Sequence, residues 1–238
     1  MIGKSSRWMP HVLLADLTDA VWDSLWAELD DWEKRHANCD EIFLLESDDN
    51  RDRIEAIYEI GKTDKEQAFE SYLALAESGS VWCAENVAWH YHSGTGVPAD
   101  FEQSKRYYRR AITGGSWSAT LGYAVLLDAH GYHEACDAVL KDGIGCDFVP
   151  AYFRLAWFRY QRSPDRATAR EIRPLLDYAA REGHPTAKFM LAKFMLRGWF
   201  GAREIPAGLQ LFFSGARESV IAAQSDPTAH EVQHARLR

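Results

Sequence analysis

At 238 residues, with 47% apolar and 13% aromatic side chains, the chain carries enough oily surface to fold, which excludes wholesale disorder. Its net charge of −8 argues against a phosphate-binding footprint, and no apolar run reaches bilayer-spanning length, so neither nucleic acid nor a membrane is an expected partner. The charge is uneven: residues 1–79 hold 8 Lys+Arg against 19 Asp+Glu, whereas residues 150–220 hold 12 against 6, giving an acidic front and a basic back.

The N-terminal stretch lacks the long apolar core and small-residue cleavage site of a signal peptide and meets Asp16 and Asp19 early, so the expected location is cytoplasmic. Residues 18–37, TDAVWDSLWAELDDWEKRHA, predict an amphipathic helix. Thr18 is placed to cap it, and Trp22, Leu25, Trp26, Leu29 and Trp32 form one stripe. Residues 1–49 are read as a capping segment whose stripe docks on the elements that follow; the alternative is an exposed aromatic patch that binds a partner. The four cysteines, Cys39, Cys83, Cys136 and Cys146, include no Cys-x-x-Cys pair and are expected as small buried hydrophobes.

From about residue 50 a unit repeats. DKEQAFESYLALAESG, ending at Gly79, aligns with DFEQSKRYYRRAITGG, ending at Gly115, and Tyr72 falls on Tyr108. The frame recurs at TAREIRPLLDYAAREG, ending at Gly183 with Leu176 at the tyrosine position, and at EIPAGLQLFFSGARES, ending at Ser219 with Phe212 there. A degenerate unit is hidden between Gly115 and Gly183, with its frame starting at Asp147. Four residues after the frame start stand Cys83, Ala119, Ala151 and Ala187; nine after stand Ala88, Ala124, Ala156 and Ala192. Val87, Tyr123, Leu155 and Leu191 lie eight after. These spacings mark one face of a helix, and its small residues let a second helix approach closely. Each unit therefore reads as helix A, a turn, helix B and a closing glycine that accepts the left-handed conformation of a helix end. One pair cannot bury its own stripe, so several must stack.

The segment HSGTGVPADFEQSKRYYRRA places Gly94 and Gly96 between two such helices. No Lys-Ser or Lys-Thr follows them, as a phosphate-binding loop requires, and no strand precedes them, so they are read as a helix–helix corner. Asp100 then stands at the positive end of helix B. The longer stretch AENVAWHYHSGTGVPADFEQSKRYYRRAITGGS resembles the Sel-1-like repeat family, relatives of the tetratricopeptide α-solenoids. Gly94, Gly96, Val97, Asp100, Tyr107, Tyr108, Ala111 and Gly115 stand on the family pattern, with Val87 and Ala88 replacing its leucine and glycine. The resemblance implies an all-α solenoid of stacked antiparallel helix pairs over residues 50–220, acting as a non-enzymatic adaptor for other proteins and requiring no cofactor. Residues 221–238 are read as a C-terminal helix or frayed tail.

Other chemistry is weaker. Asp128, His130, His133 and Cys136 lie close together, but their spacing matches no strong zinc signature. No Gly-x-Ser-x-Gly or His-Glu-x-x-His occurs, so an enzymatic or metal-binding helical repeat stays the alternative from another class. In KRYYRR, Tyr108 has a core place and the basic residues form the solvated face of helix B. The remaining candidates lie on helices A, which commonly line the concave side of a solenoid. Asn86 and Arg154 stand seven residues after their frame starts, as does Met190; Trp89, Trp157 and Lys193 stand ten after. Tryptophan and arginine anchor protein interfaces and methionine adapts to them. Arg154, Lys193 and Arg197 are expected to attract an acidic segment of a protein partner. For Trp89 and Trp157 the competing role is to fill space between neighbouring helices. A second reading within binding is head-to-tail self-association, acidic front to basic back.

Overall fold

The computed structural model describes residues 39–225, with side chains over 41–215. The helix expected over 18–37 and the tail after residue 225 lie outside the described residues. Twelve helices and no strand make up what is described. They are α1 (Cys39–Leu44), α2 (Asp48–Gly61), α3 (Lys65–Glu77), α4 (Val81–Ser93), α5 (Phe101–Thr113), α6 (Ser118–Ala129), α7 (His133–Gly145) and α8 (Val149–Arg162), followed by α9 (Arg166–Glu171), α10 (Arg173–Arg181), α11 (Pro185–Leu196) and α12 (Ile205–Ser225), with a short 3₁₀ turn at Ala202–Glu204. Among the described residues no helix is long and apolar enough to cross a membrane. The described residues divide into two compact units, one ending at Arg162 and the other beginning at Ser163. Helices α4, α6, α8 and α11 are the helices A of the repeat.

The closing position is the same backbone device four times. Gly79, Gly115 and Gly183 have φ of 115°, 97° and 90°. The amide one residue further on reaches back five residues: Ser80 to the Leu75 carbonyl at 3.1 Å, Ser116 to Ala111 at 3.0 Å, His184 to Ala179 at 2.9 Å. This is the long hydrogen bond of a Schellman helix end, and it satisfies a carbonyl the helix leaves unpaired. In the hidden unit, Phe148 donates to Gly143 at 3.0 Å, and Asp147 takes the glycine's place at φ 58°. Asp147 is the one described non-glycine residue with positive φ, and it stands where the frame requires a left-handed residue.

The residue after the closing position then starts the next helix A. Ser80 Oγ accepts from the Cys83 amide at 3.0 Å, Ser116 Oγ from Ala119 at 3.3 Å, and His184 Nδ1 from Ala187 at 3.2 Å. Such caps satisfy the first free amides of a helix. Helices B begin similarly, with Asp64 capping α3 and Asp100 capping α5 through the amides of Gln67 and Gln103.

The small-residue stripe is the core. Cys83, Ala88, Ala119, Ala124, Ala151, Ala156, Ala187 and Ala192 are fully buried, and Tyr72, Tyr108 and Leu176 hold the helix B position as expected. Ser104 sits in α5 with no exposure and donates to the Ala88 carbonyl of α4 at 2.8 Å, which ties the two helices together. Within the first unit each helix packs on its successor from α2 to α8, and the helices A also touch one another, α4 on α6 and α6 on α8. In the second unit α10 packs on α11 and α11 on α12.

Three details differ from the sequence reading. The helix expected to end at Gly183 is broken into α9 and α10 at Ile172, because Pro174 follows and has no amide to continue the ladder. Helix α12 runs through Ser219 to Ser225, since a serine there offers no left-handed stop. Cys146 is exposed rather than buried, one residue before the left-handed Asp147.

The corner of the second pair shows why two glycines stand there. Gly94 and Gly96 have φ of 70° and 72°. A Cβ on Gly96 would lie 2.1 Å from the Lys65 carbonyl oxygen, so the corner rests directly on the backbone at the start of α3. His90 Nδ1 donates to the Thr95 carbonyl at 2.6 Å and pins the turn from inside. Burial lowers the His90 pKa, which keeps the ring neutral in that role. The glycines therefore serve a helix–helix corner.

Candidate functional site

In the first unit, which ends at Arg162, the helices A present one face with recurring positions. On α4, Asn86 and Trp89 are three residues apart and so share a side of the helix. Trp89 is 50% exposed, a large apolar surface to leave in water, and meets the His90 ring edge-on at 5.2 Å. Asn86 is half-buried and its amide donates to the Trp82 carbonyl at 2.9 Å. The equivalent residues of α6 are Gly122 and Val125. A Cβ at Gly122 would lie 2.6 Å from the Tyr108 ring, so the missing side chain admits that tyrosine between α5 and α6. On α8 the same places hold Arg154 and Trp157, both half-buried, and Trp157 stacks on Phe153 with ring centres 6.0 Å apart.

Directly beside Asn86, the Glu85 carboxylate accepts from Ser116 Oγ at 2.6 Å and from Ser118 Oγ at 2.7 and 2.6 Å. Burial pushes its pKa up, and the two hydroxyls offset a fraction of that shift. Glu85 thus fastens α4 to the start of α6 and fixes the backbone that carries Asn86 and Trp89. The preceding repeat has a matching tie, in which Ser80 donates to Glu46 at 2.7 Å.

In the second unit, α11 carries Met190 and Lys193, and Arg197 follows its end. Met190 and Lys193 are buried, at 7% and 5% exposure, so neither side chain lies open on a surface. Among the described residues Nζ of Lys193 has no hydrogen-bond partner. Burial, and then the neighbouring Arg197 charge, pull its pKa down to about 8. Arg197 lies over the Trp199 ring at 5.2 Å, while Arg166 and Arg170 both donate to the Trp199 carbonyl, at 3.0 and 3.1 Å. Around this loop the cations meet backbone carbonyls and a ring, and among the described residues none of these three arginines pairs with a carboxylate.

The suspected metal ligands are otherwise engaged. Asp128 binds the Arg162 guanidinium at 2.7 Å and lies 3.1 Å from His133 Nδ1. Arg162 also bonds Asp137 at 2.7 Å, and Arg159 bonds Asp137 at 2.9 Å. His130 Nδ1 donates to the Leu126 carbonyl at 2.9 Å. Cys136 is fully buried and burial pushes its thiol up to about 12, a poor state for a thiolate ligand. Among the described residues no three His, Cys, Asp or Glu side chains come together as a metal site. The arginine–aspartate network joining α6, α7 and α8 escaped the sequence reading because its members lie 22 to 34 residues apart.

No family model and no curated protein matches the chain. Solved structures do. A Sel1 repeat protein from Oxalobacter formigenes superposes with a TM-score of 0.56 at 18% identity, over 73% of this chain and 75% of that one. The protective antigen c5321 of uropathogenic Escherichia coli, which displays an SLR fold, superposes with a TM-score of 0.50 at 22% identity. That match spans 70% of this chain but only 35% of the antigen. At such identities the likeness establishes the fold, and it agrees with the corner and stripe found in the sequence.

Proposed function

We propose that this chain, which has the Sel1-like repeat fold, is a non-enzymatic cytoplasmic scaffold that binds a protein partner on the face of its helices A. The observation that carries the reading is Trp89, half in water on a helix whose other face is already fully packed with Cys83, Val87 and Ala88. A tryptophan in that position contributes little to the fold and much to an interface once desolvated. Asn86, Arg154 and Trp157 extend the same face in the first unit. In the second unit Arg197, half-buried over the Trp199 ring, favours an acidic segment of the partner, and the neighbouring buried Lys193, whose ammonium has no hydrogen-bond partner among the described residues, adds positive charge to that place.

The test is a tagged full-length chain expressed in its native cell, compared with the Trp89→Ala/Arg154→Glu double variant. With circular dichroism and melting unchanged, the variant is expected to lose the specific partners of the parent. An identical set of partners would remove the face from consideration.

A further inference from the structure

At the start of the first unit lies an open groove that shares Trp82 of α4 but not Trp89. It holds about 660 Å³ and is lined by Phe43 from α1, by Asp52, Glu55, Tyr58 and Glu59 from α2, and by Trp82 from α4, with Ile54 and Ala56 completing the wall. Three aromatic rings and three carboxylates thus bound one space. Phe43 and Trp82 meet edge to face at 5.7 Å, and Trp82 is backed by Tyr72 at 6.0 Å, so this wall is held in place. Tyr58 is 54% exposed at the mouth.

The charges of α2 are not balanced at this cavity. Arg51 is taken by Asp48 and by the carbonyls of Leu44 and Glu46, and Arg53 lies beside Asp49. Glu59 binds Lys62 at 2.7 Å. Asp52 and Glu55 meet no cation among the described residues. Lys62 also places its ammonium 5.1 Å from the centre of the Tyr58 ring, so the chain itself already uses this ring and this carboxylate to hold a positive charge. Aromatic faces attract cations through their quadrupole, and carboxylates at the rim add direct attraction while the ring wall lowers the local dielectric.

We infer that the cavity walled by Phe43, Tyr58 and Trp82 and edged by Asp52, Glu55 and Glu59 is a binding site for a basic side chain, lysine or arginine, presented by a partner polypeptide. Asp52, Glu55, Tyr58 and Glu59 are exposed, so the groove is open to solvent and a side chain can lie along it with its methylene stem against the rings and its charged head at the acids. Trp89 is not part of this lining: it stands seven residues after Trp82, two turns along the same side of α4.

The probe is a short acetylated peptide bearing one lysine and one arginine between glycines, titrated into the full chain and followed by the Trp82 indole resonance. Saturable binding that weakens with added salt is expected. Asp52→Asn together with Glu55→Gln removes the unpaired charges and weakens binding about tenfold, and Tyr58→Ala does so severalfold, whereas Tyr58→Phe keeps the ring and the affinity. Lys62→Gln frees Glu59 and the Tyr58 ring and tightens binding severalfold, a gain that a purely structural role for these residues would not produce. No saturation by about 10 mM peptide, a free energy near the weakest specific contacts, overturns the inference. So does equal binding of a peptide with glutamates in the basic positions, or affinity indifferent to the Asp52→Asn/Glu55→Gln change. Self-association abolished by the same substitutions would assign the cavity to a second copy and also overturn it.

Discussion

Two helix ends, at Gly115 and at Asp147, close successive repeats with one hydrogen-bond pattern and two different residues. At Gly115 the left-handed turn is unstrained, and a Cβ there would meet no atom within 4 Å. At Asp147 an ordinary residue is held at φ 58°, and the amide after it still reaches back five residues at 3.0 Å. The comparison teaches that the repeat is specified by backbone geometry and by the buried stripe, with glycine as its least strained solution rather than its definition. A left-handed residue other than glycine costs roughly 1 kcal/mol, which packing against neighbouring repeats can offset.

Substitutions separate the two contributions, conformation and space. The largest effect is expected at Gly96, where both conformation and space forbid a side chain. Gly96→Ala would set its Cβ against the Lys65 carbonyl and cost about 3 kcal/mol or more, read as a lowered denaturation midpoint. Gly115→Ala, with open space around it, is expected to cost only about 1 kcal/mol. Equal losses at the two positions would show that crowding at the corner is not what Gly96 relieves.

Next comes Glu85. Glu85→Ala strands the Ser116 and Ser118 hydroxyls at the α4–α6 junction and is expected to cost about 1–3 kcal/mol. Its folded pKa is raised, so the folded chain binds more protons than the unfolded chain between the ordinary glutamate value and that raised one. The contribution to stability therefore grows as pH falls through this window, and Glu85→Gln should erase that component of the pH dependence. A wild-type profile that Gln leaves unaltered would contradict the assigned environment.

Lys193 predicts the opposite sign. Its folded pKa, about 8 against an ordinary 10.5, means that the unfolded chain binds more protons between those values. Stability should rise with pH across that range, and Lys193→Met should remove the rise. At neutral pH the methionine is expected to stabilise the chain by about 1–2 kcal/mol, since it buries no charge. The same change removes a positive charge beside Arg197 and should weaken partner binding modestly, read as a raised Kd. The smallest effect is expected at the position where the comparison began: Asp147→Gly should stabilise by about 0.5–1 kcal/mol, measured by chemical denaturation.

The helix pairs were legible because their signals are local. Alanines nine residues after each frame start and glycines at the ends survive as spacing even where Asp147 replaces glycine. Two boundaries differ for equally local reasons. Pro174 splits the helix leading to Gly183, and nothing at Ser219 stops α12. The candidate face was half legible. Trp89, Arg154 and Trp157 follow from counting along helix A, but counting cannot say that Met190 and Lys193 turn inward. The cavity beneath Tyr58 was invisible, since its rings come from three helices and only folding brings Phe43 to Trp82.

Hydrogen exchange at four backbone amides, those of Ser80, Ser116, Phe148 and His184, most directly examines whether one geometry closes every repeat. All four should be protected together and released together on unfolding, with Phe148 indistinguishable from the three that follow glycine. Free exchange at Phe148 while the others stay protected would mean that the stretch around Asp147 is a linker and that the helix pairs do not share one repeating frame.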